Sequence, residues 1–340
     1  IFTNCRFHRT FRLLQAYCKV IRMVKARKYV VKKHFEGVPK REDFEIVEYD
    51  LPPIQNGEVL VKTEWVGVDP YQRAYNRRYP VPYDQFGFQV GVVEDSKDPR
   101  YPVGTRIVSH NGWFSLLPDL KGLPPTFALG VVGKLGATAY FGLLEICQPK
   151  VGETIVVTGA AGAVGSLVGQ IAKLKGCRVI GFAGSDEKTE WLEKELGFDV
   201  ALNYKKVDIH KELRKAAPNG VDCYFDNVGG EISSIVMNQM NEFGRVCVCG
   251  SISVYNEDYT KLPKATLTQF DIVMKQIKVE GILVTRWRSR MSEAFTDIVK
   301  WIKSGEIKVR EHVIEGFDNI YDAFIGMLAG ENIGKTIVKI

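Results

Sequence analysis

The chain has 340 residues, 45% hydrophobic and 25% charged, with a formal net charge of +6. That composition belongs to a globular protein with room for two cores, and no run is long and apolar enough to span a bilayer. The charge argues against a nucleic-acid-binding face, because residues 1–22 hold five basic side chains (Arg6, Arg9, Arg12, Lys19, Arg22) and no acid, leaving 41 of the 46 Lys/Arg to balance 40 Asp/Glu.

Residues 1–22 are expected to lie outside the fold, and two readings of them stay open: a basic, acid-free mitochondrial presequence, or translated sequence upstream of Met23. From about residue 27 to residue 127, strand-like runs such as Glu58-Val59-Leu60-Val61-Lys62-Thr63 alternate with Pro52-Pro53, Pro80, Pro82 and Pro124-Pro125. That punctuation predicts a mostly β domain.

From about residue 133 to residue 301, strands and helices alternate as a doubly wound parallel sheet requires. The apolar run Thr154-Ile155-Val156-Val157-Thr158 leads into Gly159-Ala160-Ala161-Gly162-Ala163-Val164-Gly165. Val164, Leu167, Val168, Ile171 and Leu174 then recur at helical spacing up to Gly176, and Arg178-Val179-Ile180-Gly181-Phe182-Ala183 reads as the next buried strand. A glycine-rich turn between a strand and a helix lets the backbone approach a pyrophosphate and turns the positive end of the helix dipole toward it. The context predicts a dinucleotide site.

The end of the second strand carries Ala183, Gly184 and Ser185 where an NAD site usually places an acid, while Asp186 and Glu187 begin the next helix and Lys188 is within reach of a 2′-phosphate. NADPH is the expected cofactor. The alternative stays open that Lys188 is a solvated helix lysine and Asp186 reads the ribose.

Further buried strands are expected at residues 221–225 and 244–249. The seven cysteines (Cys5, Cys18, Cys147, Cys177, Cys223, Cys247, Cys249) are odd in number and scattered, so neither a disulfide framework nor a metal site is expected. The closing run Gly334-Lys335-Thr336-Ile337-Val338-Lys339-Ile340 reads as a strand returning to the first domain.

The strings Val68-Asp69-Pro70-Tyr71, Thr138-Ala139-Tyr140-Phe141-Gly142-Leu143, Tyr224-Phe225-Asp226-Asn227-Val228-Gly229-Gly230 and Asn332-Ile333-Gly334-Lys335 resemble the zinc-free prostaglandin reductase branch of the medium-chain dehydrogenase/reductase superfamily, from about Met23 to the end. The resemblance implies an α/β architecture: a Rossmann doubly wound parallel sheet domain for NADP at 133–303, and a mostly β, GroES-like domain at 23–132 and 304–340. It implies NADPH-dependent reduction of the carbon–carbon double bond of α,β-unsaturated ketones and aldehydes, of the 15-oxoprostaglandin and 2-alkenal type, by a cytoplasmic homodimer (mitochondrial only if residues 1–22 are a presequence). The dimer is expected to form by edge pairing near residues 282–284.

Carried over residue by residue, the resemblance implies a phosphate turn of Gly162, Ala163, Val164 and Gly165, 2′-phosphate contacts at Lys188 and Tyr204, and Asn227 at a strand end near the cofactor. Further cofactor contacts are implied at Cys249, Gly250, Ser251, Ile252 and Ser253, at Ile282, Leu283, Val284, Thr285, Arg286, Trp287 and Arg288, and at Asn332. Tyr255 is the expected catalytic hydroxyl. Without a metal, the oxygen that turns negative as hydride adds to a conjugated carbonyl needs a hydrogen-bond donor, and a phenol serves. Tyr71 is expected in the same cleft.

Residues 113–127 are shorter than their counterpart in that branch, and residues 256–270 lack its proline-rich loop, so the substrate pocket is expected to differ there. Two other functions are compatible with the same motifs: an NADPH quinone oxidoreductase, and an NADPH-binding protein without turnover.

Overall fold

The computed structural model describes residues 2–4, 24–110, 113–258 and 268–340. Six parallel strands form the nucleotide-binding sheet, in the order Val200–Asn203, Arg178–Ala183, Thr154–Val157, Val221–Asp226, Met240–Val248 and Lys278–Gly281. The chain thus starts in the middle of the sheet, runs to one edge, returns and runs to the other, which leaves a crevice where the direction reverses.

The near-continuous apolar strands follow from burial on both faces. Ile155, Val157, Val179, Phe225 and Cys247 pack on one side, and Val156, Ile180, Phe182, Tyr224 and Val246 on the other, with the period of two that a pleated strand imposes. Of the apolar positions expected on one face of the helix Gly165–Leu174, Leu167, Val168 and Ile171 enter the core, while Leu174 at its last turn stays 37% exposed.

The β-rich part has two sheets. One runs Glu311–Glu315, Lys335–Lys339, Val59–Gly67, Phe88–Ser96, Arg106–His110 and Trp113–Leu116; the other is Phe44–Leu51, Val24–Val31 and Tyr83–Asp84. The C-terminal strand does return as expected, with Ile337 opposite Gly67. Residues 2–4, which composition sets outside the fold, form the strand Phe2–Asn4 against Val59–Gly67. The remainder of the segment, residue 1 and residues 5–22, lies outside the described residues, as does most of the 256–270 loop.

Two boundaries differ from expectation. The fifth strand begins at Met240 rather than near Gly244 and ends at Val248, so Cys249 lies just beyond it. No strand forms at 282–284: the edge strand is Lys278–Gly281, and Val284–Arg290 turns into helix. The reason is Trp287, which is buried and stacks on Phe141 at 5.4 Å and 2°, drawing the segment inward. Among the described residues no helix is long and apolar enough to cross a membrane, and the five described cysteines are unpaired.

Candidate active site

A cleft of about 1240 Å³ separates the crevice of the parallel sheet from the β-rich domain. The phosphate turn forms its floor. A Cβ on Gly165 would sit 2.4 Å from the carbonyl oxygen of Gly159, which leaves glycine as the residue that lets the helix start this close to the strand. The amide of Gly334 donates to the carbonyl of Ala161 at 2.8 Å, so the segment leading to the C-terminal strand is tied to the turn.

At one end of the turn lies the start of the helix Asp186–Lys194. Ser185 caps the helix Asp186–Lys194, and Asp186 is engaged by Asn203 at 2.7 Å and by Lys206, which hold its carboxyl below the usual range. Lys188 is only 9% exposed. Its ammonium donates to the carbonyl of Gly330 at the C-terminus of the helix Ile320–Ala329, where the negative end of the dipole favours a cation; burial, then Lys205, lower its pKa. One half of the alternative reading is corrected: Lys188 is not a solvated lysine, while Asp186 stays at the surface in its pair with Lys206. Lys188, Tyr204 and Lys205 line one corner, and a Cβ on Gly184 would come within 3.0 Å of the Tyr204 hydroxyl and 3.4 Å of the Lys205 side chain. Lys205 carries no motif in the sequence.

Toward the other end, the buried carboxylate of Asp226 accepts hydrogen bonds from Thr158 at 3.0 Å, from the amides of Val228 and Gly229 at 2.9 Å each, and from Ser233 at 2.7 Å. It thereby orders the strand end that presents Asn227, whose amide nitrogen donates to Thr158 O at 2.7 Å. The 251–257 segment hangs from this strand end: the amides of Ile252 and Ser253 donate to the carbonyls of Asn227 and Val228. Tyr255 is half-buried and lines the cleft, and its hydroxyl accepts from the Ser251 amide at 3.3 Å.

The β-rich wall faces it. Asp69 and Lys335 form a buried ion pair at 2.8 Å, and the same ammonium donates to Val68 O at 2.6 Å. Tyr71 lies within an aromatic group, 5.9 Å from Phe86 and 6.2 Å from His110, which is itself 4.5 Å from Phe88. The Tyr71 hydroxyl is buried without a hydrogen-bond partner, and burial with the nearby Asp69 pushes its pKa well up, so it stays protonated and keeps an O–H to donate. Burial, then Lys134, lowers His110 to about 4. Tyr75, Tyr79 and Arg78 complete the wall.

Gly162, Ala163, Val164, Gly165, Lys188, Tyr204, Asn227, Cys249, Gly250, Ile252, Ser253, Ile282, Leu283, Val284, Thr285, Asn332, Tyr71 and Tyr255 all border the cleft. Four expected contacts do not. Ser251 turns its amide to Tyr255, Trp287 is in the core, Arg286 pairs with Glu280 above the Trp287 ring, and Arg288 is exposed outside the cleft. Lys335, Lys205 and the aromatic wall are functional candidates that spacing does not signal, because they meet only across the cleft.

A glycine floor that no side chain fills, a buried lysine with Tyr204 and Lys205 at one corner and a long cleft match the shape and charge of NADPH. Among the described residues no three His, Cys, Asp or Glu side chains converge as metal ligands. Fold and site together define a nicotinamide-nucleotide oxidoreductase of the medium-chain dehydrogenase/reductase class.

Comparison with known proteins agrees. Residues 27–118 match the model of an N-terminal domain of oxidoreductase, and residues 163–304 that of a zinc-binding dehydrogenase. Prostaglandin reductase 1 of Bos taurus is 47% identical over 93% of this chain and 100% of its own length; the NADP(+)-dependent 2-alkenal reductase of Nicotiana tabacum is 35% identical over 93% and 98%. The crystal structure of CurA from Vibrio vulnificus in complex with NADPH has 37% identity and a TM-score of 0.87, covering 92% of this chain and 99% of that one. The chain belongs to the prostaglandin reductase branch of the zinc-free medium-chain dehydrogenases/reductases. Its cofactor is NADPH.

Proposed function

We propose that this protein reduces the carbon–carbon double bond of α,β-unsaturated ketones and aldehydes with NADPH. The observation that carries the reading is the pairing of two tyrosine hydroxyls with one cleft, Tyr255 from the nucleotide side and Tyr71 from the β-rich side, next to a phosphate turn built for the dinucleotide. NADPH bound on that turn supplies a hydride to the β-carbon.

Tyr255, whose oxygen accepts from the Ser251 amide, donates its O–H to the substrate carbonyl, stabilising the enolate oxygen as charge develops on it. Tyr71, with its unpartnered hydroxyl, donates to a polar group of the substrate from the opposite wall, while Phe86, Phe88 and Tyr75 exclude water around the apolar remainder. The α-carbon then takes a proton from solvent. Lys188, Tyr204 and Lys205 hold the 2′-phosphate and account for the preference for NADPH over NADH.

The relatives' printed activities on prostaglandins and 2-alkenals support lipid enones and enals as substrates. We place the nucleotide-binding domain at 133–303 and the β-rich domain at 23–132 and 304–340. A homodimer forms through the edge strand Lys278–Gly281, whose outer side has no partner strand among the described residues, flanked by Phe270, Val273 and Leu283, each at least 65% exposed. The unpaired cysteines among the described residues fit a reducing cytoplasm.

The test follows NADPH absorbance with purified protein, offering a medium-chain enone, a 15-oxoprostaglandin and a simple quinone, with NADH as control. Oxidation with the enone and NADPH is the expected result. Oxidation with the quinone alone supports a quinone reductase, and none at all a binding protein.

A further inference from the structure

Arg73 lies on the short helix Tyr71–Ala74 and is 3% exposed. One end of its guanidinium is anchored within the β-rich domain: Nη2 donates to the carbonyl of Gly37 at 3.0 Å, and the group stands 5.7 Å from the centre of the Phe35 ring. The Nε points the other way and donates to Oδ1 of Asn256 at 3.0 Å.

Asn256 directly follows Tyr255. The near end of the same turn is pinned to the nucleotide-binding sheet, through the Ile252 amide on Asn227 O at 3.3 Å and the Ser253 amide on Val228 O at 3.1 Å. The tyrosine is therefore strung between the two domains. A turn held at one end lets a phenol swing through several positions, whereas an oxyanion donor acts only from a preorganised one. Guanidinium is the group suited to the second anchor, because its rigid fork fixes two acceptors in different directions at once and it keeps its charge when buried.

We propose that Arg73 is a positioning residue: through Asn256 it holds the turn so that the Tyr255 hydroxyl stays between cofactor and substrate. This rests on the reading of Tyr255 given above. Arg73 does not line the cleft, and among the described residues its link to the Tyr255 turn runs through Asn256.

The experiment uses the full chain with Asn256→Ala, Asn256→Asp, Tyr255→Phe and the double variant Tyr255→Phe/Asn256→Ala. The readouts are kcat with an enone, the NADPH dissociation constant by fluorescence titration, and hydrogen exchange of residues 251–257 without nucleotide. Loss of a hydrogen bond to a charged group is expected to lower kcat of Asn256→Ala roughly ten- to a hundredfold. Exchange in 251–257 speeds up, NADPH binding is unchanged, and Asn256→Asp, whose carboxylate accepts from the same Nε, restores both rate and protection. In the Tyr255→Phe background, Asn256→Ala costs nothing further.

Wild-type kcat in Asn256→Ala, with Tyr255→Phe impaired, overturns the positioning role alone. An equal loss from Asn256→Ala in both backgrounds also overturns it. Full turnover by Tyr255→Phe overturns the reading of Tyr255 and, with it, this proposal.

Discussion

Lys335 reaches from the C-terminal strand to Asp69, 266 residues earlier in the chain, and closes a buried ion pair at 2.8 Å beneath the cleft. The neighbouring Gly334 amide bonds the phosphate turn at Ala161, so consecutive residues fasten the two halves of the site to one strand. Breaking such a pair from one side leaves a buried charge uncompensated. Lys335→Met is expected to destabilise the protein by about 3–5 kcal/mol, and Asp69→Asn/Lys335→Met to recover most of that. Urea denaturation of the two variants checks this; equal losses in both would show that the charge balance is not what matters.

The Lys188 ammonium donates to the Gly330 carbonyl within the corner shared with Tyr204 and Lys205. Exchange of that carbonyl for a phosphate dianion strengthens its interaction. Lys188→Ala is expected to weaken NADPH binding roughly ten- to a hundredfold and leave NADH untouched, since only the former carries the 2′-phosphate. Calorimetric titration with both nucleotides measures the difference.

The unpartnered Tyr71 hydroxyl makes opposite predictions for stability and for function. Tyr71→Phe removes a buried donor that lacks an acceptor, and the folded protein is expected to gain up to about 1 kcal/mol. The KM for an enone bearing a second polar group should rise about tenfold, while a plain alkenal keeps its KM. A higher melting temperature with unchanged KM for both substrates would reduce Tyr71 to packing.

His110 stays neutral down to about pH 4 because of burial and the nearby Lys134, against an ordinary value of 6.5. Between those values the unfolded chain holds a proton that the folded one does not, so stability is complete above pH 6.5 and falls as the pH drops toward 4. His110→Gln is expected to flatten that part of the curve. Melting temperatures of both proteins at intervals from pH 7 to pH 4 decide it.

How much of this was legible beforehand depends on the range over which each feature is encoded. The phosphate turn is local: Gly159, Gly162 and Gly165 sit between a strand and a helix a few residues away, and short-range sterics demand glycine there. The parallel strands are legible for a similar reason, since burial on both faces writes an unbroken apolar run. The helical turn at Val284–Arg290 was not legible, because Ile282-Leu283-Val284 has strand propensity and only the stacking of Trp287 on Phe141 overrides it.

The sequence alone pointed to a dinucleotide fold and to NADPH, because each rests on residues near one another in the chain, while Tyr255 stood out only through the family resemblance. The tertiary structure decided what no spacing encodes: that Lys188 is buried against the Gly330 carbonyl, that Lys335 neutralises Asp69, that Arg73 meets Asn256, and that Tyr71 is left with an unused donor. These are contacts between segments brought together by the returning strand and the two facing walls of the cleft, and a buried charge or hydroxyl shows its role only when its partner, or the lack of one, is in place.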